Sequence, residues 1–191
     1  MSQMRVRRWS RLTYHDSRKI LAELGKISNK VAASSLPYRV ASLRTNALKT
    51  SREGRQCALF CFGMSTRLGT DVAFAFAEED DLDFVARYTL ADVTHYVPLQ
   101  MKEFAPDFVA PSASIQQEVD KLAKYADSSD LVVAFHINRD VRLEPASLDL
   151  SQVKVAELWF VGYLGHGENW LLLGNLLSPT SHPSVFEYPD A

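Results

Sequence analysis

Cysteine is scarce in this chain: Cys57 and Cys61 are the whole supply among 191 residues. Two thiols cannot build the disulfide framework of a small secreted domain, nor fill the four positions of a structural zinc site. They lie four apart in a stretch with helical spacing and so share one helix face, where reduced, packed thiols are expected. Long hydrophobic runs are missing too, since none approaches the roughly 20 residues that span a bilayer. The first residues, MSQMRVRRWSRLTY, hold Arg5, Arg7, Arg8 and Arg11 without an apolar core, so they do not read as a secretory signal. They are arginine-rich and acid-poor like an organelle presequence, but no second sign of one accompanies them. The expectation is a cytoplasmic protein with no membrane partner. A phosphate-cradling glycine loop, a zinc spacing pattern and G-x-S-x-G are likewise missing. Cys57 paired with a histidine would make a hydrolase, but a thiol on a helix face packed into the interior suits packing better than attack.

What is present is an ordinary globular composition with an uneven charge distribution. Hydrophobic residues make up 47% and charged residues 23%, enough to build one buried core in a single α/β domain. Residues 1–55 contain 13 Lys or Arg against Asp16, Glu23 and Glu53, a balance of +10; residues 56–191 contain eight against 20 acids, a balance of −12. One consequence is a basic segment that contacts a phosphate backbone through Arg5, Arg7, Arg8, Arg11, Arg18 and Lys19. The other is mutual neutralisation of the two halves within one fold. Both remain open at this level.

Apolar spacing at Ile20, Leu21, Leu24, Ile27 and Val31 predicts an amphipathic helix over 15–33, ended by SSLP. A second helix is expected from Ser51, an available N-cap, to Met64, with Gly63 and Gly69 at its end. Its face bearing Cys57, Phe60, Cys61 and Met64 also carries Glu53. The period then changes to strand: VAFAFA (72–77), an acidic turn EEDDL (78–82), DFVARYTL (83–90), a turn near Ala91-Asp92, and HYVPLQMKEF (95–104). A helix over 114–126 and a continuous apolar strand, LVVAFHI (131–137), follow. AELWFVGYL (156–164) and WLLLGNLL (170–177) flank Gly165-His166-Gly167 and suit a hairpin. The tail from Ser178, with three prolines, is expected to be extended or poorly ordered. The division is thus a basic helical segment (1–50), an α/β core (51–177) and a tail (178–191). The fold class is a central mixed β-sheet flanked by helices.

The residues that could carry chemistry are Asp83, at the start of one strand, and Gln100-Met101-Lys102, near the end of the next. Residues two apart in a strand share a face, so Gln100 and Lys102 project together and Met101 into the opposite layer. If the strands pair through the turn near Ala91-Asp92, their outer ends meet and Asp83 comes close to Gln100 and Lys102.

This arrangement resembles the PD-(D/E)xK nuclease superfamily over about residues 51–140: an acidic helix, a meander with Asp on its second strand and Q-x-K on its third, then a helix and a buried strand. Gln100 stands where a carboxylate is usual, and no proline precedes Asp83. The resemblance implies a restriction-endonuclease-like core and a nuclease dependent on Mg²⁺ or Mn²⁺, acting on nucleic acid, with DNA favoured. It implies Asp83 as principal metal ligand, with the Gln100 carbonyl, the main-chain carbonyl of Met101 and, through water, Glu53. Lys102 would orient the attacking water or stabilise charge in the transition state, completing a catalytic set of Lys102, Asp83 and Gln100. A non-catalytic member that binds nucleic acid or protein is the alternative, kept open by Gln100.

Other candidates have simpler explanations. Glu78, Glu79, Asp80 and Asp81 read as an exposed acidic turn, with Asp81 the substitute ligand if the strand begins earlier. His136 sits in an apolar strand as a core histidine, His166 in a turn, and His95 at the opening of the third strand. Trp159, Phe160, Tyr163 and Trp170 suit core packing or the interface of a homodimer.

Overall fold

The computed structural model describes residues 3–32, 48–79, 81–125 and 128–190. An eight-stranded mixed sheet forms its centre, and the strands lie side by side in chain order. They are β1 (His15–Asp16), β2 (Ala73–Glu79), β3 (Leu82–Leu90), β4 (Val93–Phe104), β5 (Val132–Ile137), β6 (Glu157–Tyr163), β7 (Asn169–Gly174) and β8 (His182–Glu187). β4, β5 and β6 run parallel and all other neighbours antiparallel. Among the described residues four α-helices accompany them: α1 (Gln3–Trp9), α2 (Ser17–Ala32), α3 (Lys49–Leu68) and α4 (Ile115–Asp120), which continues as a 3₁₀ turn, Lys121–Tyr125. The α/β class with a mixed central sheet is therefore observed. Among the described residues no helix is long and apolar enough to cross a membrane.

Local chemistry accounts for the connections. Ala91 and Asp92 both adopt positive φ (47° and 61°), the two-residue turn whose twist matches that of the hairpin it joins. Ser114 accepts from the Gln117 amide while the Gln117 side chain accepts from Ser114 N–H, a capping box that starts α4. Pro98 lies one residue before β5 joins β4 at Leu99, so it occupies a stretch of β4 with one unpaired edge.

Two apolar layers fix the sheet. On one face α2 and α3 bring Leu21, Cys57, Phe60 and Cys61 onto Phe84, Leu99, Met101, Ala134 and Val161. On the other, Trp9, Val119, Leu122 and Tyr125 cover Val85, Val133, Phe135 and Phe160. β5 alternates between the layers and is buried on both sides, which explains its unbroken apolar run.

Several elements differ from the sequence expectation. α3 begins at Lys49 and ends at Leu68, so Ser51 lies inside it; Gly69, at φ 66°, caps it by donating to Ser65 O. His15 and Asp16 form a short strand instead of opening α2, and Asp16 accepts from the Lys19 amide. Part of the basic N-terminal stretch is a helix, α1, anchored by the fully buried Trp9. The tail, expected to be extended or poorly ordered, is extended over 182–187, and it is also paired there with β7. It forms β8, because Phe186 packs edge-on against Phe62 (5.8 Å between ring centres) in the space left by Gly63. Residues 33–47, with the SSLP stretch expected to end the first helix, lie outside the described residues.

Candidate functional site

Pairing of Phe84 with Leu99 brings Asp83 and Gln100 to the same level of the β3–β4 ladder. Met101 turns into the core beneath α3, whereas Gln100 and Lys102 face the other way. These residues line a polar groove of about 550 Å³. Lys49, Arg52 and Glu53 reach it from the first turns of α3. Asp81 enters from the β2–β3 turn, Glu103 from β4, and Lys124 and Tyr125 from the 3₁₀ turn.

At its centre the amide of Gln100, itself buried, donates from Nε2 to Asp83 Oδ2 in a short contact and to the main-chain oxygen of Met101 at 3.2 Å. One amide group thus gathers the carboxylate and the carbonyl that stand beside it. Burial raises the Asp83 carboxyl above its ordinary value. The Lys102 charge, the Gln100 hydrogen bond, the Lys49 charge and the Met101 N–H pull the other way without cancelling it. The negative charge of Asp83 is therefore incompletely offset by the protein. Lys102 Nζ lies 5.6 Å from the centre of the Tyr125 ring, close enough for a cation–π contact.

The banks of the groove are ion pairs. Lys49 Nζ is 3.6 Å from Glu53 Oε1, and Arg52 Nε is 3.7 Å from Glu103 Oε2. Asn138 Nδ2 donates to Glu103 Oε1 at 2.7 Å, and Ser128 Oγ to Asp81 Oδ2 at 2.5 Å. Four cations (Lys49, Arg52, Lys102, Lys124) face four acids (Glu53, Asp81, Asp83, Glu103). Among the described residues no three His, Cys, Asp or Glu side chains converge as a metal cluster. The donors that do converge are all hard oxygens: one carboxylate, one main-chain carbonyl and, if the Gln100 amide turns about its last bond, a second carbonyl. A set of this kind, poor in carboxylates, fits Mg²⁺, which keeps much of its water.

The structure brings together Glu53, Asp83, Gln100, Met101 and Lys102. The six N-terminal cations are elsewhere. Arg5 pairs with Asp130 (3.1 Å) and Glu79 (4.0 Å), and Arg8 with Glu79 (3.5 Å). Arg18 lies over the Phe62 ring at 5.2 Å and Lys19 is 3.7 Å from Asp16. Arg7 and Arg11 are exposed. Lys49, Arg52, Glu103 and Lys124 were not singled out from the sequence. Lys49 and Arg52 could have been, since both share a helix stripe with Glu53, whereas Lys124 reaches the groove only through tertiary packing.

Other candidates have structural occupations. Cys57 and Cys61 are fully buried free thiols, 4.0 Å apart, and burial, then its neighbour Cys61, pushes the Cys57 thiol well up. His95 stacks on Tyr88 and His136 on Trp170. Glu79 is not an open turn residue: it accepts from Trp9 Nε1 at 3.0 Å. Asp80 lies outside the described residues. Trp159 and Phe160 are core residues, while Tyr163 is 52% exposed. Comparison with protein-family models, with curated proteins and with solved structures gives no match to this chain.

Proposed function

We propose that this chain is a divalent-metal-dependent phosphodiesterase acting on nucleic acid, with DNA the substrate that its family resemblance implies, built on a restriction-endonuclease-like core. One observation carries the reading: Gln100 joins Asp83 and the Met101 carbonyl in a groove that also holds Lys102 and Glu53. The order α3, β2, β3, β4, α4, β5, with β4 and β5 parallel, supports it because it is the order that the resemblance requires.

Asp83, the Gln100 carbonyl and the Met101 carbonyl would hold Mg²⁺ or Mn²⁺, with Glu53 acting through water. The cation would supply Lewis acidity at the phosphate and a water of lowered pKa. Asp83 provides the negative charge that draws a cation in, because its own surroundings leave it incompletely compensated. Lys102, whose Nζ lies 5.6 Å from the Tyr125 ring centre, would orient the attacking water or offset the charge that grows on phosphate oxygens. Lys49, Arg52 and Lys124 give the groove the cationic contacts that a phosphate backbone needs.

A second reading, a non-catalytic nucleic-acid- or protein-binding protein on the same scaffold, is favoured by Gln100 itself. It removes one charge from the cation site and leaves the groove's four acids and four cations balanced without a metal. The experiment is incubation with supercoiled plasmid, linear duplex and single strands in Mg²⁺, Mn²⁺ or EDTA, beside Asp83→Ala and Lys102→Ala. The catalytic reading expects metal-dependent cutting that both variants lose while remaining folded. Cutting that survives both changes refutes this site. Salt-sensitive duplex binding without cutting moves the second reading ahead.

A further inference from the structure

The β2–β3 ladder contains an irregularity at one place. Phe76 pairs with Phe84 and Glu79 with Leu82, so Ala77 and Glu78 on β2 together oppose a single residue on β3, and that residue is Asp83. Two residues against one is a β-bulge, which interrupts the ladder, bends its strand and increases the local twist, a device that re-aims side chains at that level. One residue beyond the bulge, Glu79 is held by three groups of α1. Trp9 Nε1 donates to Oε1 at 3.0 Å, Arg8 lies 3.5 Å from the same oxygen, and Arg5 lies 4.0 Å from Oε2. Arg5 also reaches Asp130 at 3.1 Å, and Ser128 in the same connector donates to Asp81. The turn that carries Asp81 and Asp83 is thus fastened from two sides, to α1 and to the segment leading into β5.

We infer that Glu79 is a positioning residue: gripped by α1, it fixes the bulge that turns Asp83 into the groove and onto the Gln100 amide. The local balance favours this. The hairpin brings Asp83 beside Gln100, but the β3–β4 pairs end at Phe84 and Leu99 and the bulge weakens the β2–β3 ladder, so neither neighbouring strand sets the final aim of Asp83. Trp9, with no exposed surface, is the firmest anchor within reach. The charge of Glu79 is only 15% exposed, so its three partners act in a partly dry setting and constrain more than an open surface pair would. The acidic turn and the basic N-terminus, distant in sequence, meet here as the two halves of one support. The metal half of the test below rests on the function proposed above; the geometric half does not.

The experiment compares the wild type with Glu79→Ala, Glu79→Gln, Trp9→Phe and Asp83→Asn by two readouts. The first is the side-chain amide resonance of Gln100 in metal-free protein, which reports its bond to Asp83. The second is Mn²⁺ affinity by calorimetry. A positioning role expects Glu79→Ala to move the Gln100 resonance toward its unbonded position and to weaken Mn²⁺ binding about tenfold. Glu79→Gln, which still accepts from Trp9, should restore part of both, and Trp9→Phe, which keeps an apolar ring but removes the donor, should fall between. An unchanged Gln100 resonance in Glu79→Ala, even with lowered thermal stability, overturns the inference and leaves Glu79 a purely structural anchor. If the wild type binds no Mn²⁺ while the resonance still moves in Glu79→Ala, the positioning role stands and the phosphodiesterase reading falls.

Discussion

Replacing Trp9 by alanine tests whether the basic N-terminus is a free arm or a packed part of the fold. Trp9 has no exposed surface, its ring lies beneath the Arg5 guanidinium (4.9 Å), and its indole N–H donates to Glu79. Truncating a buried tryptophan costs about 3–5 kcal/mol, because the transfer energy of the ring is lost and the space does not fully collapse. Glu79 also loses a donor in a part-buried place, which adds about 1 kcal/mol. The expected loss is about 4–6 kcal/mol, a large share of the roughly 5–15 kcal/mol that holds a domain together. For a chain of this length each kcal/mol moves Tm by about 2–4 °C, so Tm should fall by about 8–24 °C. Urea unfolding followed by tryptophan fluorescence measures the free energy, and a thermal melt followed by circular dichroism measures Tm. Arg5→Ala and Arg8→Ala, at 39% and 65% side-chain exposure, should each cost under about 1 kcal/mol, which separates the contribution of the ring from that of the charges. A loss below about 1 kcal/mol for Trp9→Ala would refute the packing argument and return α1 to the role of an unattached arm.

The raised carboxyl of Asp83 gives stability a definite pH sign. Folding holds the proton of Asp83 more tightly than the unfolded chain does, so its contribution is greatest below the unfolded value of about 3.9 and is lost as pH rises through the folded value. Asp83→Asn should therefore stabilise the metal-free protein at pH 7 relative to wild type, and the gain should shrink below about pH 4; thermal melts between pH 3 and 8 read it, and a gain that grows toward acid contradicts it. At Gly63 an added Cβ would stand 2.7 Å from the Phe186 ring, so Gly63→Ala should lose about 1–3 kcal/mol despite the better helix propensity of alanine. Adding Phe186→Leu to that variant should give strong positive coupling in a double-mutant cycle, and additive losses would show that α3 and β8 are not in tight contact.

Much of this was legible in the residue order because it depends on short-range rules. Alternation placed β3 and β4 and put Gln100 and Lys102 on one face. The unbroken apolar run announced β5 as a strand covered on both sides, and the pairing of Phe84 with Leu99 brings Asp83 to Gln100 as the turn at Ala91-Asp92 implied. Boundaries were less legible. Ser51 looked like a cap and is an interior residue, two positions past the start of α3 at Lys49, where no side chain caps the helix. β8 was hidden in a proline-bearing tail, since contacts distant in sequence hold it: Phe186 on Phe62 beside Gly63, and Arg67 donating to His182 O.

The sequence by itself determined the α/β alternation, the two-sided burial of β5 and the grouping of Asp83 with Gln100 and Lys102, all consequences of backbone period and of neighbours within one hairpin. Tertiary structure alone decided what the charges do. Arg5 and Arg8 belong to Glu79 and Asp130, about 70 and 125 positions away, while Lys49, Arg52 and Lys124 come from separate elements to border the groove. An ion pair depends on distance in space, and no local rule encodes which of 21 cations meets which of 23 acids. The same reason hides the bulge opposite Asp83: one extra residue on β2 becomes visible only once β3 lies beside it and α1 holds it in place.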